Sequence, residues 1–129
     1  MKERTIIRHT ALQFDDKQKA ELFFTKILEL NLEKSFTLSK ELSNEIFGIA
    51  EEVTAYVYAD ENTYFEIFIT QKKPRPGYEH TCIEINDKEA FIERCKKYDI
   101  KPLFVKKDER TLLFIKDYSG NLYEIKDNK

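Results

Sequence analysis

Apolar and polar residues alternate over His9-Thr10-Ala11-Leu12-Gln13-Phe14, and the same alternation returns over His80-Thr81-Cys82-Ile83-Glu84-Ile85. A period of two puts every second side chain on one face, so each run predicts a half-buried β-strand. A short acidic break follows each strand, and then the period changes. Behind Asp15-Asp16, the positions Ala20, Phe23, Phe24, Ile27, Leu28 and Leu30 recur at helical spacing, with either aspartate able to cap the helix. Behind Asn86-Asp87, a second helix carries Ala90, Phe91, Cys95 and Tyr98.

Strand-like pieces separated by turn signals complete each half. In the first half they are Phe36 to Leu38, Val53 to Tyr58 and Thr63 to Thr70, the last two joined by Asp60-Glu61-Asn62. In the second half they are Leu103 to Lys107, Thr111 to Lys116 and Leu122 to Lys126, with turns at Asp108-Glu109-Arg110 and Tyr118-Ser119-Gly120-Asn121. The halves also end alike, Tyr64-Phe65-Glu66-Ile67 against Leu122-Tyr123-Glu124-Ile125. The order β-α-β-β-β therefore occurs twice, which predicts one α+β domain of two modules, 5–70 and 80–127. Pro74, Pro76 and Gly77 mark 71–79 as the linker. The first half is the longer, and its surplus falls on Ser39 to Glu52, a loop or short helix placed to lie over a pocket.

Composition narrows the function classes. A chain of 129 residues with 41% hydrophobic and 36% charged residues suits one folded domain. A net charge of −2 and scattered lysines give no basic field for nucleic acid or a membrane surface. The polar start has no signal-peptide character and no apolar run reaches the length of a membrane span, so a cytoplasmic protein is expected. Cys82 and Cys95 lack the close spacing of a zinc motif, and reduced thiols are expected, with Cys95 a small core residue.

The parity of the strands brings the candidate chemistry together. If each helix packs on the Leu12-Phe14 and Ile83-Ile85 faces, then His9, Gln13, His80, Cys82 and Glu84 face away from the helices. Glu66 and Glu124 each sit between two apolar residues and must also face away. The chain has two histidines, and both fall at equivalent positions of the repeat. Two imidazoles and two carboxylates suit a borderline divalent ion, and the carboxylate charges offset that of the metal. His9, Glu66, His80 and Glu124 are thus the expected metal ligands, for Ni²⁺, Co²⁺ or Zn²⁺ first and for Mn²⁺ or Fe²⁺ next. Gln13, Cys82 and Glu84 are candidate substrate contacts on the same face.

At these residues the chain resembles the vicinal oxygen chelate superfamily, and within it glyoxalase I. His9 to Phe14 with Phe24-Thr25-Lys26-Ile27-Leu28 looks like that enzyme's opening, and Tyr78-Glu79-His80 like the start of its second module. Asp117-Tyr118-Ser119-Gly120-Asn121-Leu122-Tyr123-Glu124-Ile125 is similar to the final turn and strand. The resemblance implies two tandem βαβββ modules forming a curved mixed sheet around a metal site, usually in a homodimer. It also implies that His9, Glu66, His80 and Glu124 match the glyoxalase ligands in order. In relatives the site is either shared across a dimer or completed within one chain, and the sequence leaves both open.

The implied activity is that of a metal-dependent, lactoylglutathione lyase-like isomerase acting on a small carbonyl substrate conjugated to a thiol. Glu66 or Glu124 would move the carbon-bound proton. Other chemistry on the same fold, namely thiol transfer or ring-cleaving dioxygenation, is the alternative, as is bleomycin-resistance-type ligand sequestration without catalysis. Two departures stand out. Glu29 occupies a position where many members have glycine, and Gln13 stands where glyoxalase I has an arginine that grips a glutathione carboxylate. A neutral amide does not replace a charge-assisted pair, so the resemblance does not extend to glutathione as the thiol.

Overall fold

The computed structural model describes residues 5–71 and 76–127. The elements run β1 (Thr10–Phe14), α1 (Lys17–Glu21) continuing into a π-helical segment (Leu22–Ile27), β2 (Asn31–Leu38), α2 (Lys40–Phe47), β3 (Val53–Ala59) and β4 (Tyr64–Ile69). The second half runs β5 (Thr81–Ile85), α3 (Lys88–Lys97), β6 (Leu103–Lys107), β7 (Arg110–Lys116) and β8 (Leu122–Asp127). The doubled β-α-β-β-β order expected from the pattern is present, with α2 inserted in the first copy. Of the expected linker, residues 72–75 lie outside the described residues.

The strands form two four-stranded mixed sheets, ordered β1-β4-β3-β2 and β5-β8-β7-β6. In each, the first strand pairs in parallel with the last and the other pairings are antiparallel. The register is equivalent in the two copies: Ala11 lies opposite Glu66, and Cys82 opposite Glu124.

Asp16 and Asp87 cap the module helices by accepting from the backbone N–H groups of Lys19 and Ala90. The first helix does not stay α-helical. The Thr25 hydroxyl donates to the Glu21 carbonyl at 2.6 Å, and the Leu28 N–H reaches back five residues to the Phe23 carbonyl at 3.0 Å. Phe23, Phe24 and Ile27 all end fully buried. The segment closes at Glu29, whose φ of 59° lies in the left-handed region, while Leu30 N–H bonds to the Phe24 carbonyl.

One core spans both modules, joining Phe14, Phe23, Phe24, Tyr58 and Phe65 to Phe91, Leu113, Ile115 and Tyr123. Phe23 packs 5.1 Å from the Tyr123 ring centroid. Polar ties flank this seam: Arg94 Nε donates to the Ile27 carbonyl at 3.1 Å, and Asn121 Nδ2 to the Gln13 carbonyl at 3.0 Å. Shared burial of this kind makes the two copies one cooperative unit.

One expectation is corrected in extent, and one left open is decided. β2 begins at Asn31 rather than Phe36, because its outer half is an edge strand exposed on both faces and carries no alternation to read. The undecided surplus is a helix, capped at Ser39 by its hydroxyl and closed at Gly48, where φ is 72°. Its Phe47 ring meets Phe68 of β4 edge-on at 5.6 Å.

Candidate metal centre

Strand parity sorts the side chains as the sequence pattern requires. On β1, Leu12 and Phe14 turn inward while Ala11 and Gln13 are exposed; on β5, Ile83 and Ile85 are covered while Cys82 and Glu84 are exposed. Glu66 lies between buried Phe65 and Ile67, and Glu124 between buried Tyr123 and Ile125. Both carboxylates therefore leave the sheet on the face opposite the helices.

Each module assembles one histidine–glutamate pair. His9 Nδ1 lies 3.4 Å from Glu66 Oε2, with the His9 ring tilted against Tyr64 at 6.3 Å. His80 Nε2 lies 3.8 Å from Glu124 Oε1. Both glutamate side chains are about one-fifth exposed, and both histidines about two-fifths. These pairs are shielded enough to interact and open enough to take a ligand.

The pairs differ in how the imidazole is held. His80 Nδ1 is 2.9 Å from the Tyr78 carbonyl. A carbonyl only accepts, so Nδ1 carries the proton and Nε2 presents its lone pair toward Glu124. This is the outer-shell contact that fixes the tautomer and raises the basicity of a ligating histidine. His9 instead presents Nδ1 to its glutamate.

Within one chain the four groups do not converge. Among the described residues, no three of the histidine, cysteine, aspartate and glutamate side chains form a group able to hold a metal ion. The structure thus builds two equivalent pairs, one per module. Two imidazoles and two carboxylates form a donor set that fits a divalent metal chemically.

Two neighbours were not singled out from the sequence. Lys126 Nζ lies 3.4 Å from Glu124 Oε2, so this carboxylate sits between a histidine and a lysine. The period of two could have found it, since Lys126 follows Glu124 by two residues on one strand. The Tyr78 carbonyl is a backbone atom and left no sequence signal.

Of the candidate substrate contacts, Gln13 accepts at Oε1 from the Thr70 hydroxyl at 2.9 Å. Cys82 is exposed, opposite Glu124. Partial burial, reinforced by Glu124 and opposed by Lys126, raises its thiol pKa, which keeps it protonated and poorly nucleophilic at neutral pH. Glu84 pairs in register with Lys126 and lines a cleft of about 750 Å³ with His9, Cys82 and Arg94. Cys95 is fully buried, and burial pushes its thiol to about 11.

The final turn, Asp117 to Asn121, has a structural role. The buried Asp117 carboxylate accepts from Ser119 N–H at 2.9 Å, Asn121 N–H at 3.0 Å, Asn121 Nδ2 at 2.9 Å and the Tyr123 hydroxyl at 2.7 Å. These bonds fix the start of β8 and hence the direction of Glu124.

No protein-family model matches the sequence, and no curated protein matches it. Solved structures do match the fold. A glyoxalase family protein from Bacillus cereus superposes with a TM-score of 0.75 at 16% identity, covering 98% of this chain and 97% of that one. The fosfomycin resistance protein FosX from Listeria monocytogenes gives 0.73 at 13% identity, covering 98% and 96%. A mutant of that FosX, complexed with Mn(II) and 1S,2S-dihydroxypropylphosphonic acid, gives 0.70 at 15% identity, covering 96% and 93%. The chain therefore has the paired-module fold of these glyoxalase family and FosX structures, as its motifs led one to expect. No helix among the described residues is long and apolar enough to cross a membrane.

Proposed function

We propose that the protein is a divalent-metal-dependent enzyme that isomerises a small carbonyl substrate, in the manner of glyoxalases, within a homodimer whose two sites are each shared between copies. The observation that carries this reading is the repetition of a His–Glu pair at the same register in both modules. His9 and Glu66 of one copy with His80 and Glu124 of a second would supply all four ligands. The open module-two face agrees with such an assembly, since Leu103 and Val105 on β6 remain half-exposed there.

When bound, a divalent ion would supply Lewis acidity to the substrate's carbonyl group and would so acidify the hydrogen on the adjacent carbon. The chain's own residues do the remainder. His80, held by the Tyr78 carbonyl, keeps Nε2 aimed inward without a rotational search. Glu66 or Glu124 takes the proton from the carbon bearing the hydroxyl and the thiol-derived sulfur and returns it to the adjacent carbonyl carbon, while the hydroxyl proton passes to the former carbonyl oxygen, giving a 2-hydroxy thioester. Buried Phe65 and Ile67 on β4, and Tyr123 and Ile125 on β8, hold the carboxylates' strands against the core, so positioning comes from the fold.

Likeness to FosX favours a second reading, a metal-dependent reaction on an antibiotic-type substrate. A metal-free ligand-binding protein is the third. Purified protein assayed with methylglyoxal and a panel of thiols under Ni²⁺, Co²⁺ and Zn²⁺ separates them. Turnover with a metal supports the first reading, and silence under every combination excludes it. Oxygen-dependent turnover with Fe²⁺ alone would move the assignment to dioxygenation, and failure to retain any metal would move it to sequestration.

A further inference from the structure

A cavity of about 480 Å³ lies on the outer face of the first sheet, between β1, β4 and the inserted α2. Phe68, two residues beyond Glu66 on β4, forms part of its floor, and Gln13, four beyond His9, part of its edge. Two residues along a strand advance about 7 Å, so the cavity starts one pleat from the His9–Glu66 pair on the same face. Phe47 and Ile49, from the end of α2 and the turn after it, make the opposing wall, and both side chains remain about half exposed. Apolar walls that stay open are the surface a ligand's hydrocarbon body covers, and the volume is that of a small-molecule site.

The polar groups on this wall have one electrostatic sign. Glu51 and Glu52 are its ionisable side chains, and among the described residues no cation lines it. Gln13 Oε1 is occupied by the Thr70 hydroxyl, which leaves the amide Nε2 as a donor with no partner among the described residues. Such a cavity offers hydrogen-bond donation at one edge, apolar and aromatic surface in the middle and negative charge at the far rim. An anionic ligand would be repelled by the two carboxylates and meet no cationic lining group among the described residues, whereas a cation would be attracted.

We infer that this cavity is the specificity pocket for the substrate's non-reacting part, and that it takes a neutral or cationic group with an apolar or aromatic body. It rests on the reading of the adjoining face as the substrate face, and it narrows the substrate class away from thiols or phosphonates that place an anion there.

The test is direct binding by the full-length protein as purified, followed by NMR with benzamidinium, benzyl alcohol and benzoate as isosteric cationic, neutral and anionic probes. Benzamidinium should bind at least about ten-fold more tightly than benzoate, with benzyl alcohol between them and shifts centred on the Gln13 amide, Phe68 and Ile49. The exposed double substitution Glu51→Gln/Glu52→Gln should bring benzamidinium within about two-fold of benzyl alcohol, and Phe47→Ala should weaken both about five-fold or more. Benzoate binding as tightly as benzamidinium, shifts centred elsewhere, or no binding of any probe would each overturn the inference. A parallel Ni²⁺ titration keeps the two failures apart. Selective probe binding without metal uptake leaves the pocket standing and removes the metalloenzyme reading, and the reverse pattern does the opposite.

Discussion

His80 and Tyr78 are joined two residues apart by a ring-nitrogen-to-carbonyl contact of 2.9 Å, which commits Nδ1 to hydrogen bonding and Nε2 to whatever lies in front of Glu124. His80→Ala should therefore weaken Ni²⁺ or Zn²⁺ binding by about a hundred-fold or more, beyond the 10–100-fold typical of losing an outer-shell partner. Isothermal titration at neutral pH measures this. Affinity unchanged within two-fold would remove His80 from the ligand set.

Glu29 holds a left-handed conformation that glycine adopts without steric cost. Its 3.6 Å ion pair with Arg94 is largely exposed and weak. Glu29→Gly should thus raise unfolding stability by about 0.5–1 kcal/mol, measured by urea denaturation at unchanged m. A loss of stability would mean that the Arg94 contact outweighs the backbone strain.

The Tyr58 hydroxyl is fully buried and has no hydrogen-bond partner among the described residues, and burial pushes its phenol well above the ordinary range. Its ring is what the core uses, stacked 5.2 Å from Phe24. Tyr58→Phe removes an unsatisfied group and keeps the ring, so stability should hold or rise by up to about 1 kcal/mol. Thermal denaturation checks the sign.

Asp117 gives a pH signature opposite to the usual one. Burial raises its pKa above the ordinary 3.8 despite the four hydrogen bonds that lower it. The folded state then binds the proton more readily than the unfolded state. The stability this group contributes is fully present below the ordinary value and is lost as pH rises through the raised one. Asp117→Asn turns an amide N–H₂ toward existing donors and should cost about 1–3 kcal/mol. That penalty should be largest near pH 3 and shrink as pH rises through the raised value. A penalty growing with pH, in urea titrations across this range, would show that the hydrogen bonds win.

The repeat, both strand parities and all four paired residues were legible in the sequence, because β1 and β5 have one covered and one open face and so alternate cleanly. The outer half of β2 was not, since Asn31 to Ser35 is exposed on both faces and only backbone pairing makes it a strand. The π-helical turn was hidden for another reason: Phe23, Phe24 and Ile27 suit an α-helix equally well, and the widening depends on the Thr25 hydroxyl choosing the Glu21 carbonyl. Spacing placed His9, Glu66, His80 and Glu124 on like faces, yet whether like faces meet is set by how the modules pack, which no local pattern records. Among the described residues the two pairs do not form one group within the chain.

The shared site is tested most directly by mixing two inactive partners. His9→Ala/Glu66→Ala leaves module two intact, and His80→Ala/Glu124→Ala leaves module one intact. Neither variant alone should bind metal tightly. Unfolded and refolded together, about half of the dimers pair one of each, and each of these regains one of its two sites, so metal capacity should recover to about a quarter of wild type. Recovery near that level is the predicted result. No recovery despite demonstrated mixed dimers, or tight binding by either variant alone, would contradict a site built from the His9–Glu66 pair of one copy and the His80–Glu124 pair of the other.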